Sequence, residues 1–464
     1  MRKVTCLVFM AADNDLGDDS FAKRDLHEME KYGSSEEVAV VVQVDRGRNQ
    51  EGSTALRGFI EKNETWSKNR PEYISELEDI GETDTGDPAV LQDFIIWGAS
   101  SYPAETYILV IWAHGTGWRA DEIEKAVGKA AGSEVELAAR SGNFGEIFRK
   151  RTKNLVFKRT METAVDVFIN GRLLPNLPKT IGKRPSLMNS LAKGSELMNG
   201  DADLHDLFSR AVALDTTDMS ALDALELKAA IAGASNTLNN ANPGSFALSV
   251  IGFDACLMGG VETLYQLRNV TNFAVASQEE EPRSGWRYDL VVDRIRSTLG
   301  DPEDTGEGLV DDYMTAQQNY IIRLVTQSAI QLDKLEALAA SLDALGAKLI
   351  TLIDDNTRQI QYAEKRGTRF RGDKDFIDLG HFVEILDEKI QDPEVHALAT
   401  DVLSKLRDCV LKSRYAFERN QQKTTGLSVY FPAIARYDEV YGTLDVYPHV
   451  QNWVKFIKSY HLLD

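Results

Sequence analysis

Residues 107–118 read YILVIWAHGTGW. Tyr107–Ala113 form a nearly continuous apolar run, the pattern of a strand buried on both faces of a sheet, and the run stops at His114, Gly115 and Gly117. Val4–Met10 (VTCLVFM) and Val38–Val44 (VAVVVQV) have the same character. Between these runs, Ser20–Tyr32 and Pro88–Ser100 read as crossover helices, the second with Asp87 placed to cap it and Pro88 at its first position. Strands alternating with helices predict a βαβ arrangement: an α/β fold with a mostly parallel sheet and helices on its faces.

Beyond Trp118 the periodicity is lost. Residues 119–213 are rich in Gly, Ser, Lys and Arg without a steady period, and read as an insertion. The sheet pattern resumes with a helical window at Ala221–Ala234, an apolar run at Phe246–Phe253, a helix at Val261–Leu267 and a strand at Phe273–Ala276. After about residue 300 the chain turns mainly helical, with apolar residues at helical spacing through Ile330–Ile353. There only Gly426–Phe431 (GLSVYF) reads as a strand, one that could rejoin the sheet. The expected organisation is two domains, residues 1–305 with the insertion and residues 306–464.

With 464 residues and 43% hydrophobic residues, the chain has material for at least one large core. The 52 Lys and Arg against 72 Asp and Glu leave a formal net charge of −20. Nucleic acid and anionic membranes need basic patches, so neither is an expected partner; a cationic substrate suits the charge better. Cys6, Cys256 and Cys409 are too few and too widely spaced for a disulfide framework or a paired zinc site. Val4–Met10 is too short for a signal h-region, so the expected location is the cytoplasm, or outside the cell if a leader has been removed.

Two strand ends carry candidate chemistry, because functional groups of open α/β sheets gather at the carboxyl edges of strands. His114 leaves one edge, followed by glycines whose backbone can approach a ligand closely. The other edge is SVIGFDACLMGG, residues 249–260, where Asp254-Ala255-Cys256 leads toward a helix whose N-terminus could lower the thiol pKa. Alone, a strand-end His is usually a turn residue and a single Cys usually an inert thiol. Together they form the pair a cysteine hydrolase needs.

The chain resembles the clostripain-like cysteine peptidases of the caspase, gingipain and legumain group. The resemblance rests on FMAADNDL (9–16), TGDPAVLQDFIIW (85–97), LVIWAHGTGW (109–118), LDTTDMSALDALELKAAI (214–231), GFDACLMGGVETLYQL (252–267) and ASQEEEPRSGWRYD (276–289). AIQLDKL, FIDLGHF, GLSVYFP and WVKFIKSY extend it through the C-terminal part, whereas residues 119–213 carry no alignable motif.

The resemblance implies a caspase-like α/β/α sandwich and a Cys/His dyad. Cys256 would attack the scissile carbonyl to give a thioester, and His114 would act as general acid and base. The backbone N–H groups of Gly115 and Cys256 would hold the oxyanion. Asp254 looks like the family's determinant for cleavage after Arg or Lys, since a carboxylate pairs with either cation; otherwise it caps the next helix. Glu279-Glu280-Glu281 would add to that pocket or form a solvated loop.

No cofactor is required for this chemistry. Some relatives depend on calcium, but Ala11–Asp19 (AADNDLGDD) lacks the spacing of an EF-hand loop, so helix capping is expected there. Self-cleavage at Arg149, Lys150, Arg151, Lys153, Lys158 or Arg159 would release the site in the manner of relatives; the other reading is a solvated basic loop. An always-active peptidase of this specificity would be dangerous in a cytoplasm, so gating by the insertion, an ion or an activating partner is expected. The alternatives are a catalytically silent binding or regulatory module, and an amidase or transferase using the same dyad on a small amide.

Overall fold

The computed structural model describes residues 1–18, 21–46, 54–69, 72–118, 212–215, 220–317, 325–416, 423–432 and 437–461. The strands are β1 (Arg2–Ala12), β2 (Val38–Arg46), β3 (Ala55–Phe59), β4 (Leu77–Gly81), β5 (Ala104–Trp112), β6 (Val212–Asp215) and β7 (Ser220–Leu222). They continue as β8 (Leu248–Asp254), β9 (Phe273–Ala276), β10 (Val325–Gln331), β11 (Phe376–Asp378), β12 (Val410–Ala416) and β13 (Ser428–Tyr430). The helices on the N-terminal side are α1 (Asp15–Asp18), α2 (Phe21–Met29), α3 (Pro88–Ser101), α4 (Ala224–Ala241), α5 (Val261–Leu267), α6 (Tyr288–Thr298) and α7 (Pro302–Gln317). Then follow α8 (Leu335–Ile350), α9 (Ile353–Arg366), α10 (Leu379–Lys389), α11 (Pro393–Cys409) and α12 (Gln451–His461).

Nine strands form one sheet in the order β12-β10-β9-β8-β5-β1-β2-β3-β4. Its centre, β2-β1-β5-β8-β9, is parallel, and β3 and β10 run antiparallel at either side. The runs read as buried strands are the central ones: every residue of β8 and nearly every residue of β1 and β2 is buried. Period-two alternation sorts them onto two cores. Leu7, Phe9 and Ala11 of β1 face a layer containing α3, α4, α5, α8 and α10–α12. Val4, Cys6, Val8, Met10 and Ala12 face the opposite layer of α2, α6 and α7. This is the α/β/α sandwich expected from the sequence. The predicted cap of α3 also forms, Asp87 accepting the Ala89 N–H at 2.9 Å with Pro88 in the first turn.

The C-terminal part departs from expectation. Ile330 and Gln331, read as the start of a helix, end strand β10, and α8 begins at Leu335. The residues read as the late strand form β13, which pairs with β11 in a separate two-stranded sheet and does not rejoin the large one. The chain beyond residue 305 instead supplies β10 and β12 to the large sheet, so no sheet boundary falls there. Residues 1–118 and 211–464 belong to one compact unit. The insertion expected at 119–213 lies almost wholly outside the described residues; only Val212 and Ala213, in β6, are seen. Among the described residues no helix is long and apolar enough to cross a membrane.

Candidate active site

Strands β5 and β8 are neighbours, paired in register so that Trp112 stands opposite Asp254. The Ala113 N–H donates to the Asp254 carbonyl at 3.2 Å, carrying the pairing one residue further. His114 and Cys256 each follow two residues after that last pair, so the register delivers both to one edge of the sheet. His114 is 5% exposed and Cys256 is half-buried. Gly115 fits where it does because it has no side chain: a Cβ there would stand 2.6 Å from the Cys256 carbonyl oxygen and 2.9 Å from the Ala255 Cβ. After Cys256 the chain turns sharply through Leu257, whose φ of 61° is left-handed.

The thiol does not sit at a helix N-terminus. Helix α5 begins only at Val261, with Gly260 at its cap. Instead the Glu281 backbone N–H donates to the Cys256 Sγ at 3.2 Å. Burial pushes the Cys256 thiol pKa well up; the Glu281 N–H opposes the shift, and the carboxylates of Glu281, Glu280 and Glu279 reinforce it. Burial thus moves this thiol in the direction opposite to the lowering that a helix N-terminus would give.

Asp254, 6% exposed, caps no helix. Its Oδ1 accepts the Trp286 N–H at 3.0 Å and its Oδ2 the Tyr288 hydroxyl at 3.1 Å. Burial raises its pKa to about 6, against the pull of those two donors. Burial and the neighbouring Asp254 push Glu281 well up too, so the two carboxyls form a tight acidic pair. Helix α2 supplies Asp25, fully buried, which accepts the Trp112 indole N–H at 2.8 Å and is paired with Arg24 at 2.7 Å. Arg24 also donates to the Ser284 carbonyl at 2.8 Å.

Two of the three consecutive glutamates, Glu279 and Glu281, have distinct structural roles. Glu279 is buried and accepts the backbone N–H groups of Arg371 at 3.0 Å and Gly372 at 3.4 Å. Its own carbonyl accepts the Leu257 N–H at 3.3 Å. Gln278 bridges to the C-terminal part, donating to Asp378 at 2.9 Å and accepting the Gly426 N–H at 3.2 Å. These bonds fix the loop from which Glu281 reaches the sulfur. Neither Glu279 nor Glu281 is a solvated loop residue.

Around Ala11–Asp19, Asn14 performs the expected capping, accepting the Leu16 N–H at 3.0 Å, and no cluster of three or more metal-ligating side chains occurs among the described residues. Arg149, Lys150, Arg151, Lys153, Lys158 and Arg159 lie outside the described residues. Sequence reasoning missed Arg24, Asp25, Trp112 and Tyr288. The last stands inside the quoted block at 276–289, but its contact with Asp254 spans a loop that no local period reveals.

Comparison with known proteins bears on this site. The clostripain family profile matches residues 8–134 and 197–460. Clostripain from Hathewaya histolytica is 23% identical over 518 aligned positions, which cover 99% of this chain and 80% of clostripain. The fold is similar to that of a secreted C11 cysteine protease from Bacteroides thetaiotaomicron in complex with an irreversible peptide inhibitor, with a TM-score of 0.58, 16% identity and coverage of 98% and 99% of the two chains. It is also similar to that of an inactive zymogen C11 protease from Parabacteroides distasonis, with a TM-score of 0.58, 15% identity and coverage of 97% and 98%. With the family's match running through both strand ends and most of the C-terminal part, the chain belongs to the clostripain family and is a cysteine-type peptidase.

Proposed function

We propose that this peptidase cleaves proteins or peptides after Arg or Lys, with Cys256 as nucleophile and His114 as general acid and base. The observation that carries the reading is the β5–β8 register, which brings two otherwise distant residues to adjacent strand ends. The Cys256 Sγ attacks the carbonyl carbon while its proton passes to His114; the tetrahedral intermediate collapses to a thioester as His114 protonates the leaving amine. Water, deprotonated by His114, then releases the acid. The N–H groups of Gly115 and Cys256 stabilise the oxyanion, each such donor contributing about 2.7–4 kcal/mol. The Asp254 and Glu281 carboxyls receive the cationic side chain of the substrate.

Activity is gated in this reading, and self-cleavage is one trigger. An inactive zymogen is among the structural neighbours, and the basic stretch from Arg149 to Arg159 is a suitable self-cleavage target for this specificity. An activating partner or calcium are the other triggers we propose; neither is needed for the bond-breaking chemistry itself.

Fluorogenic peptides with Arg, Lys, Asp or Ala before the reporter test the reading, with and without calcium. Wild type is expected to cleave after Arg or Lys, and Cys256→Ala and His114→Ala to lose that activity. Cleavage after Asp would overturn the role given to Asp254. Cleavage that survives Cys256→Ala would overturn the nucleophile.

A further inference from the structure

Deep beside Asp254 lie three polar side chains that the chemistry above does not use. Tyr313 and Gln317 stand one turn apart on the same face of α7, and Gln327 lies on β10. They are 2%, 1% and 0% exposed. Hydrogen bonds hold two of them beside the acidic pair. The Gln317 amide N–H donates to the Gly285 carbonyl at 3.0 Å, and Gly285 packs against Asp254 so tightly that a Cβ on it would stand 2.8 Å from Oδ1. The Gln327 amide N–H donates to Glu281 Oε1 at 3.3 Å. The Tyr313 hydroxyl, its pKa pushed up chiefly by burial, also feels the Glu281 and Asp254 charges and the Cys256 sulfur.

Each carries a buried oxygen, Tyr313 Oη, Gln317 Oε1 and Gln327 Oε1, with no hydrogen-bond partner among the described residues. Leaving such a group unsatisfied is costly, and three around one acidic pair form a set of acceptors facing no donor. The nearby Arg24 makes its hydrogen bonds to Asp25 and the Ser284 carbonyl, through Nε and Nη2, and none to these oxygens.

We propose that Tyr313, Gln317 and Gln327 form the inner lining of the specificity site, where their orphaned oxygens accept hydrogen bonds from the cationic head of the substrate side chain. This rests on the reading that Asp254 receives that side chain, and extends it to residues of α7 and β10. A guanidinium or ammonium group brings several N–H donors, more than the acidic pair alone can arrange around itself. The neutral acceptors satisfy the remainder, and in doing so acquire the partners they lack.

Agmatine, a guanidinium compound with no peptide bond, tests this on the full chain without requiring turnover. Iodoacetamide alkylation of Cys256 is followed by mass spectrometry at increasing agmatine. Agmatine is expected to slow alkylation of wild type, and Tyr313→Phe, Gln317→Met and Gln327→Met to raise the half-protecting concentration about tenfold or more, the loss expected for a hydrogen bond to a charged group. Protection is read relative to each variant's own rate without agmatine. If Asp254→Asn loses protection while these three keep it, the lining is overturned and the Asp254 reading stands. If wild type is not protected, the Asp254 reading fails and the lining with it. If the variants change the agmatine-free rate as much as the protection, their role is structural and the proposal is wrong.

Discussion

At the scale of single residues, Asp254 has the clearest pH consequence. Only its ionised form attracts a cation, and burial has raised its pKa to about 6. Below that pH it becomes neutral, so KM for Arg and Lys substrates is expected to rise as pH falls through about 6 and to level off above about 7. Initial rates from pH 5 to 8 check this. Asp254→Asn should raise KM chiefly above about pH 6, where the wild-type carboxylate is ionised, and flatten the profile. A KM for wild type that is flat across pH 6 would show that Asp254 does not meet the cation. His114 and Cys256 could be read as a pair because each ends a buried strand. Asp254 was legible as a carboxylate near the thiol, but not as a residue tied to Trp286 and Tyr288. Those bonds cross the chain at intervals that neither period two nor period 3.6 encodes.

Among the elements, the brace between the loop at 277–281 and the C-terminal part sets how firmly the sulfur is held. Asp378 is its anchor. The carboxylate accepts the His381 N–H at 2.8 Å, the Thr425 N–H and hydroxyl at 2.7 Å each, and the Gln278 amide at 2.9 Å. Asp378→Ala strands four donors, the Gln278 amide among them fully buried, and is expected to destabilise the protein by about 2–4 kcal/mol, measured by urea unfolding. It should also lower kcat, since Gln278 belongs to the loop whose Glu281 N–H meets Cys256. Stability lost with kcat intact would separate the brace from the site. Elements such as β1, β2, β5 and β8 were readable because burial on both faces leaves a continuous apolar run. By contrast, β10 (VTQSAIQ) and β12 (VLKSRYA) carry polar residues that pair within the sheet, as Ser328 does with Ser413 at 3.0 Å. Their alternation is thereby masked, and the helical period of α8 spilled over Ile330.

For the molecule as a whole, the edge strands decide what can fold alone. A fragment ending at residue 305 lacks β10 and β12 and exposes the edge of β9, which pairs with β10 from Phe273 to Ala276. Such an unpaired edge invites aggregation. The fragment is therefore expected to aggregate or to unfold without a cooperative transition, in contrast to full-length protein, as circular dichroism during heating would show. A sharp two-state melt of residues 1–305 would mean that the C-terminal part is dispensable for folding. The α/β class was evident from the first three buried strands, whereas the integration of the C-terminal part required seeing which strands neighbour which.

The adjacency of β5 and β8 has one more consequence. The backbone joins these strands through more than a hundred residues, yet parallel pairing joins them directly from Tyr107 to Trp112. A peptide bond cut anywhere between Arg119 and Arg210 would leave two polypeptides locked by that ladder and by the packing of α3 on α4. They would migrate as one species through a sizing column and part only in denaturant. Once parted, they would reassemble as a bimolecular process, slower on dilution, so the nicked protein could be harder to regain than the intact chain even when both are equally well folded.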